Sequence, residues 1–175
     1  MESFVLSLKS LKIPFIALTI FIVLWFAGYR MNVSGSEPIG LYIVHSGTPL
    51  TLGSYVEACI PKKYLFESLR RGYLHGGGVC HGIDPVLKRI AGLPGDIVDV
   101  KDSGVFVNGR LIPGSRRLSL DSHGRPISMI PACRIVLRGY WLMATKKENS
   151  WDSRYWGEVM PGNILGIAEP VIVRE

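Results

Sequence analysis

Residues Val105-Phe106-Val107-Asn108-Gly109-Arg110-Leu111-Ile112 decide the fold class. Asn108-Gly109 suits the two positive-φ positions of a tight hairpin turn, and the apolar residues on either side supply its two strands. Working outward, Ile39 to Val44 and Ser54 to Ile60 read as short strands, as do segments near Arg134 to Leu137 and Tyr140 to Ala144. Asn163 to Val173 supplies one or two more, with Pro170 favouring an edge or a break because it has no N–H to give a ladder. Pro61 to Gly72 reads instead as a brief amphipathic helix presenting Leu65 and Leu69 on one face. The polar, turn-rich run from Leu118 to Pro131 is expected to be a surface loop. The expectation is a mainly β domain with small helical insertions.

The 175 residues allow one such domain and one membrane anchor. Ile13 to Tyr29 is uncharged and mostly Phe, Ile, Leu, Val and Trp, bounded by Lys12 and Arg30. As a helix it would cover roughly 26 Å, a little short of a hydrocarbon core, with Lys12 and Arg30 snorkelling and Trp25 or Tyr29 at the interface. The division expected is residues 1–30 as cytoplasmic tip and single transmembrane helix, and 31–175 as a periplasmic domain at the bacterial inner membrane. Lys9 and Lys12 favour a cytoplasmic N-terminus, although Arg30 weakens the asymmetry. A cleaved export signal is the competing reading, with Ser34-Gly35-Ser36 offering small residues for cleavage.

The formal net charge is +6, but the basic residues are dispersed or locally paired, as in Lys62-Lys63, Arg70-Arg71 and Arg116-Arg117. No nucleic-acid partner is expected from that pattern, and anionic lipid is the better functional alternative to a solvated basic face. Three cysteines, Cys59, Cys80 and Cys133, leave at least one unpaired in a monomer, and a Cys59–Cys80 bridge is feasible in an oxidising compartment. His75, Cys80 and His81 lack any regular metal-ligand spacing, so neither metal nor cofactor is expected.

The chemistry rests on Ser36 and Lys88. A serine hydroxyl is a weak nucleophile until a base takes its proton, and a lysine serves when burial leaves its amine neutral. Lys88 stands among Val86, Leu87, Ile90 and Ala91, which would disfavour the ammonium. On residue types alone, an exposed Lys88 on a strand and a Ser36 in an ordinary turn before Pro38 are the simpler readings.

Three segments taken together change that balance. Asn32-Val33-Ser34-Gly35-Ser36-Glu37-Pro38-Ile39-Gly40 looks like the Asn-x-Thr/Ser-x-Ser-x-Pro-x-Gly pattern of the TraF peptidases of conjugative transfer, within the type I signal peptidase superfamily. It lacks the methionine that follows the nucleophile in general signal peptidases. Leu87-Lys88-Arg89-Ile90-Ala91-Gly92-Leu93-Pro94-Gly95-Asp96 and Ser150-Trp151-Asp152-Ser153-Arg154-Tyr155-Trp156-Gly157 resemble the wider superfamily in content and order. The resemblance implies a signal-peptidase-like β-rich domain with Ser36 as nucleophile and Lys88 as general base. It further implies Ser150 as the residue orienting the lysine, and the Ser36 amide with the Ser34 hydroxyl at the oxyanion. Asp152 and Arg154 are expected to form a supporting ion pair.

Other motifs lack context. His75-Gly76-Gly77-Gly78 has no Gly-x-Ser-x-Gly elbow and no Gly-Lys-Ser/Thr ending, so it reads as a flexible loop rather than an oxyanion or phosphate loop. No local sequence favours His45 or His123 as the base. The expected function is a membrane-anchored serine endopeptidase for an exported precursor. By resemblance that precursor is a conjugative pilin subunit, cyclisation of the product is one expected outcome, and other conjugation-machinery proteins are candidate partners. A general preprotein signal peptidase and a non-catalytic, membrane-tethered periplasmic binding module are the alternatives.

Overall fold

The computed structural model describes residues 2–144 and 146–174, with side chains from Lys12 onward. Helix α1 (Glu2–Phe26) leads into strands β1 (Tyr29–Asn32), β2 (Ile39–His45) and β3 (Tyr55–Ala58). Helix α2 (Leu65–Arg71) and strands β4 (Gly76–Cys80), β5 (Val86–Gly92), β6 (Ile97–Lys101), β7 (Gly104–Val107) and β8 (Arg110–Leu111) follow. Strands β9 (Cys133–Val136) and β10 (Trp141–Met143), helix α3 (Ser153–Trp156) and strand β11 (Ile164–Arg174) complete the chain. The fold is mainly β with few helices.

Two sheets carry it. One is six-stranded in the order β1-β2-β11-β3-β5-β10, the other four-stranded in the order β8-β7-β6-β9, and each pairing is antiparallel. One core packs Val56, Ile60, Ile83, Ile90, Leu142, Tyr155 and Trp156 beside the larger sheet. A second gathers Val98, Val100, Val105, Leu137, Trp141 and Met143 beside the smaller.

The hairpin forms as its sequence requires, with Asn108 at φ 50° and Gly109 at φ 78°. Asn108 also accepts a bond from the Ile97 amide on Oδ1 and donates through Nδ2 to Asp96, tying the turn to the start of β6. The C-terminal segment forms a single strand, β11, which pairs with β3 through Ile164 to Ile167 and with β2 from Ile167 onward. Pro170 lies past the last β3 pairing, at a register shift against β2, where among the described residues no strand pairs on its other side.

Four expectations need correction. α1 stops at Phe26, and Tyr29 and Arg30 lie in β1 rather than in an anchor. Its apolar run from Ile13 to Phe26 is solvent-exposed but covers only roughly 21 Å. No helix among the described residues is long and apolar enough to cross a membrane. Arg30 does not flank the helix in solvent: Nη1 donates to the carbonyls of Trp25 and Tyr29, the guanidinium lies 4.0 Å from the centre of the Trp25 ring, and Nε sits 3.6 Å from Glu57.

In α2, Leu65 packs on the core but Leu69 is exposed, and the buried position is Ser68. Its hydroxyl donates to the Tyr64 carbonyl and accepts from Trp151 Nε1, so α2 is held by a polar anchor as well as an apolar face. The triglycine is part of β4 and not a loop. A Cβ on Gly78 would lie 2.3 Å from the Ile83 carbonyl oxygen, so the strand closes on its neighbour only with glycine there.

Cys59 and Cys80 form a disulfide across a separation of 21 residues, joining the end of β3 to the end of β4. Cys80 is therefore not available as a metal ligand, and Cys133 is the free thiol. Closing a loop of this size should remove about 3 kcal/mol of chain entropy from the unfolded state. Replacing both Cys59 and Cys80 with serine is expected to lower stability by about that amount, read from chemical unfolding of the intact chain in detergent.

Candidate active site

Alternation along β5 determines which way Lys88 points. Val86, Lys88, Ile90 and Gly92 share the buried face of the strand, whereas Arg89 takes the other side and lies against the Tyr55 ring. Lys88 is 5 % exposed. Burial holds its amine below the ordinary lysine range; the charges of Asp152 and Glu37 oppose the shift, and Arg154 adds to it.

Ser36 comes from the segment between β1 and β2. Strands β11 and β3 stand between β2 and β5 in the sheet order, so residues 33–38 must carry the hydroxyl to the lysine. Asn32 shapes that segment. Its Oδ1 accepts from the Ser34 amide, and its Nδ2 donates to the carbonyls of Ser34, Glu37 and Pro38. The Tyr42 hydroxyl donates to the Pro38 carbonyl from below, at 2.8 Å. The outcome is a 2.9 Å hydrogen bond from Lys88 Nζ to Ser36 Oγ, with the Ser34 hydroxyl 3.1 Å from Ser36 Oγ.

Asp152 and Arg154 form a two-pronged ion pair, Nε to Oδ1 and Nη2 to Oδ2, each 2.8 Å, and both side chains are fully buried. Asp152 also caps α3 through the Arg154 amide and accepts from the Ala144 amide. Arg154 donates to the carbonyls of Gly114, Arg116, Lys147 and Ser150. The pair therefore staples the β8–β9 loop to the β10–α3 loop and sends the Asp152 charge toward Lys88. Ser150 is buried in the same cavity wall, yet its Oγ has no hydrogen-bond partner, so the orienting bond expected from it to Lys88 is not made. The amine is directed to Ser36 instead.

A cavity of about 620 Å³ opens beside Ser36 and Lys88. Asn32, Ser34, Tyr73, Asp84, Leu87 and Trp151 help line it, together with Trp25 and Arg30 from the junction with α1. Lys147 lies over Gly35, where a Cβ would approach its Nζ to 2.7 Å, so a larger residue at position 35 would push that lysine out of the wall. Among the described residues no group of three or more His, Cys, Asp or Glu side chains could hold a metal ion.

Two residues of the matched nucleophile segment have roles in the site that the sequence does not assign. Asn32 had a signal, an asparagine two residues before a small polar residue in a turn. Glu37 had none, because a glutamate beside a proline in a polar segment is ordinarily solvated. In the structure Glu37 is 2 % exposed and neither carboxylate oxygen has a hydrogen-bond partner. Burial pushes its carboxyl up to about 7, against the pull of Lys88, Arg89 and Lys146.

The chain belongs to the signal peptidase family, peptidase S26, whose family model matches residues 4–173, and within it to the conjugal-transfer TraF group. It is 37 % identical over 150 residues to a probable conjugal transfer protein TraF of Sinorhizobium fredii, covering 85 % of this chain and 79 % of that one. It is 35 % identical over 152 residues to a plasmid transfer protein TraF of Escherichia coli, covering 85 % of each. A probable signal peptidase I-2 of Synechocystis is 33 % identical over 85 residues, covering 49 % of this chain and 37 % of that one.

The buried ion pair makes a stability prediction. Arg154→Met should cost about 3–5 kcal/mol, because Asp152 is left charged and uncompensated in the interior. Adding Asp152→Leu should recover part of that loss, and equilibrium unfolding of the three proteins would measure both steps.

Proposed function

We propose that this protein is a membrane-anchored serine endopeptidase that cleaves an exported precursor, with Ser36 as nucleophile and Lys88 as general base. The 2.9 Å contact between Lys88 Nζ and Ser36 Oγ, made by an amine that burial pushes toward its neutral form, carries this reading. In the reaction the neutral amine takes the Ser36 proton as Oγ bonds to the scissile carbonyl carbon. The carbonyl oxygen gains the negative charge, with the Ser36 amide and Ser34 hydroxyl as its stabilising donors. Collapse of the tetrahedral species breaks the C–N bond, Lys88 returns the proton to the leaving amine, and an acyl-enzyme remains. Asp152 and Arg154 support the geometry from behind.

An extended substrate has a place to bind. β5 pairs with β3 along Val86 to Arg89, whereas β10 reaches along it only from Gly92 to Arg89, so Val86 to Lys88 has a free ladder edge facing the cavity among the described residues. The exposed apolar side chains of α1, from Ile13 to Phe26, suit a lipid environment at the inner membrane with the β domain in the periplasm. The conjugal-transfer names of the long-coverage relatives favour conjugation proteins as partners, and among their exported precursors a pilin subunit is the substrate proposed. The half-length match to a probable signal peptidase favours the broader reading, a general preprotein signal peptidase.

Co-expression of a tagged pilin precursor with wild type, Ser36→Ala and Lys88→Ala separates these readings. Each variant should abolish processing while inserting and folding normally, and the double variant should be little worse than either single one. Processing that survives Ser36→Ala would favour a non-catalytic binding module. Lys88→Arg should also be inactive, because a guanidinium stays protonated. Since the lysine must be neutral, the wild-type rate should be full at alkaline pH and fall as pH drops through the depressed Lys88 value.

Release of the acyl group by the precursor's own amino terminus would give a circular product. A tethered amine reaches an effective concentration in the millimolar range, about that of a short flexible linker. Mass spectrometry is expected to show a product one water lighter than the linear mature pilin, and linear product alone would reject cyclisation.

A further inference from the structure

We propose that Glu37 is a positioning residue that acts through Lys88, its carboxylate supplying the counter-charge for the ammonium that forms when Ser36 is acylated. The proposal rests on the Ser36–Lys88 reading. Glu37 is a buried acid that holds nothing in the fold together. It is next to the nucleophile, almost wholly enclosed, and neither of its carboxylate oxygens is bonded. An interior carboxyl without donors is costly, and such groups are seldom kept in a fold without a role. Glu37 cannot easily swing out to water. Its own carbonyl and that of Pro38 are held by Asn32 Nδ2, and Pro38 is held again by the Tyr42 hydroxyl.

The charges around the lysine make Glu37 the uncommitted one. Two carboxylates act on Lys88, Asp152 and Glu37. Asp152 is already matched by two bonds from Arg154, and the positive Arg154 works against an ammonium at Lys88. The groups facing Glu37 itself are Lys88 and Arg89 on β5, Lys146 after β10, Asp152 before α3, and Tyr42 on β2. Arg89 is engaged with the Tyr55 hydroxyl and ring. In the competent form, with its proton lost, Lys88 gives Glu37 little to attract. Once the Ser36 proton reaches Nζ, an ammonium forms in the same buried interior as an unpaired carboxylate, which is carried by the residue next to Ser36 in the chain. That attraction exists in the transition state and not in the ground state, which is the condition for it to accelerate the step. Burial pushes the Glu37 carboxyl up to about 7, so its charge is present above that pH.

The competent form then has both groups deprotonated, and an ionised Glu37 raises the affinity of Lys88 for a proton. Removing the charge lowers that affinity. The test is the pH dependence of kcat and kcat/KM for the purified full chain in detergent acting on the tagged pilin precursor, with Ser36→Ala and Lys88→Ala as controls. Glu37→Gln should move the acid limb to lower pH by about one unit or more and reduce kcat at the plateau, with KM little changed. Glu37→Leu, an apolar fit to the enclosed site, should do the same, and Glu37→Asp should restore part of kcat. An acid limb that stays in place, or moves to higher pH, in a folded variant overturns the proposal when both controls are inactive. Activity in either control overturns the dyad itself. If neither Glu37→Gln nor Glu37→Leu folds, the carboxylate is a folding requirement and the assignment fails.

Discussion

Lys88 enters the interior between Val86 and Ile90 on the inward face of β5, and much of the surrounding structure follows from taking an amine out of water. Burial weakens its hold on the proton, and three charged groups adjust how far that goes: Asp152 and Glu37 favour the proton, Arg154 opposes it. The adjustment works because each group is itself fixed. Asp152 is fixed by Arg154, Arg154 by four loop carbonyls, and Glu37 by a backbone segment folded around Asn32. The proton affinity of this lysine is therefore distributed over residues far apart in the chain.

How much of this is legible in the sequence depends on whether the signal is local. The Asn108-Gly109 hairpin is, because the turn's backbone angles dictate its residues. The strand carrying Lys88 is legible as apolar, but Leu87 and Ala91 do not surround the amine: the period of two puts only Val86 and Ile90 on its side. The ion pair of Asp152 and Arg154 lies two residues apart and is readable from sequence, whereas its work of holding carbonyls from residues 114 to 150 is not. Hydropathy misplaces the end of α1 because it does not register where a chain turns. Gly28, at φ 91°, stops the helix, and Tyr29 and Arg30 then pair with Ile43 and Tyr42.

Long-range satisfaction is the part that resists reading. Ser68 looks like a neutral position on an amphipathic helix and is its buried anchor, since Trp151 sends an N–H to it across 83 residues. The Glu37 carboxyl is the reverse case, a polar group whose isolation is visible only once every neighbour is placed. The triglycine is intermediate. Its glycines look like freedom, and at Gly78 the small residue in fact permits the strand to press against the backbone of the segment that follows it, at Ile83 and Asp84.

The Arg30 joint has a mechanical consequence. Only Ala27 and Gly28 separate the last turn of α1 from the first strand, and the arginine locks that step by gripping the Trp25 carbonyl and ring on one side and Glu57 on the other. A helix joined by a loose tether would let the domain roam. If the helix lies in a membrane, as proposed, a joint like this would make it a gauge post, setting the height of the cavity above that surface. A polypeptide fixed to the same surface could then offer only those peptide bonds that its own stem lifts to that height, so position along the chain would be selected before any side chain is inspected.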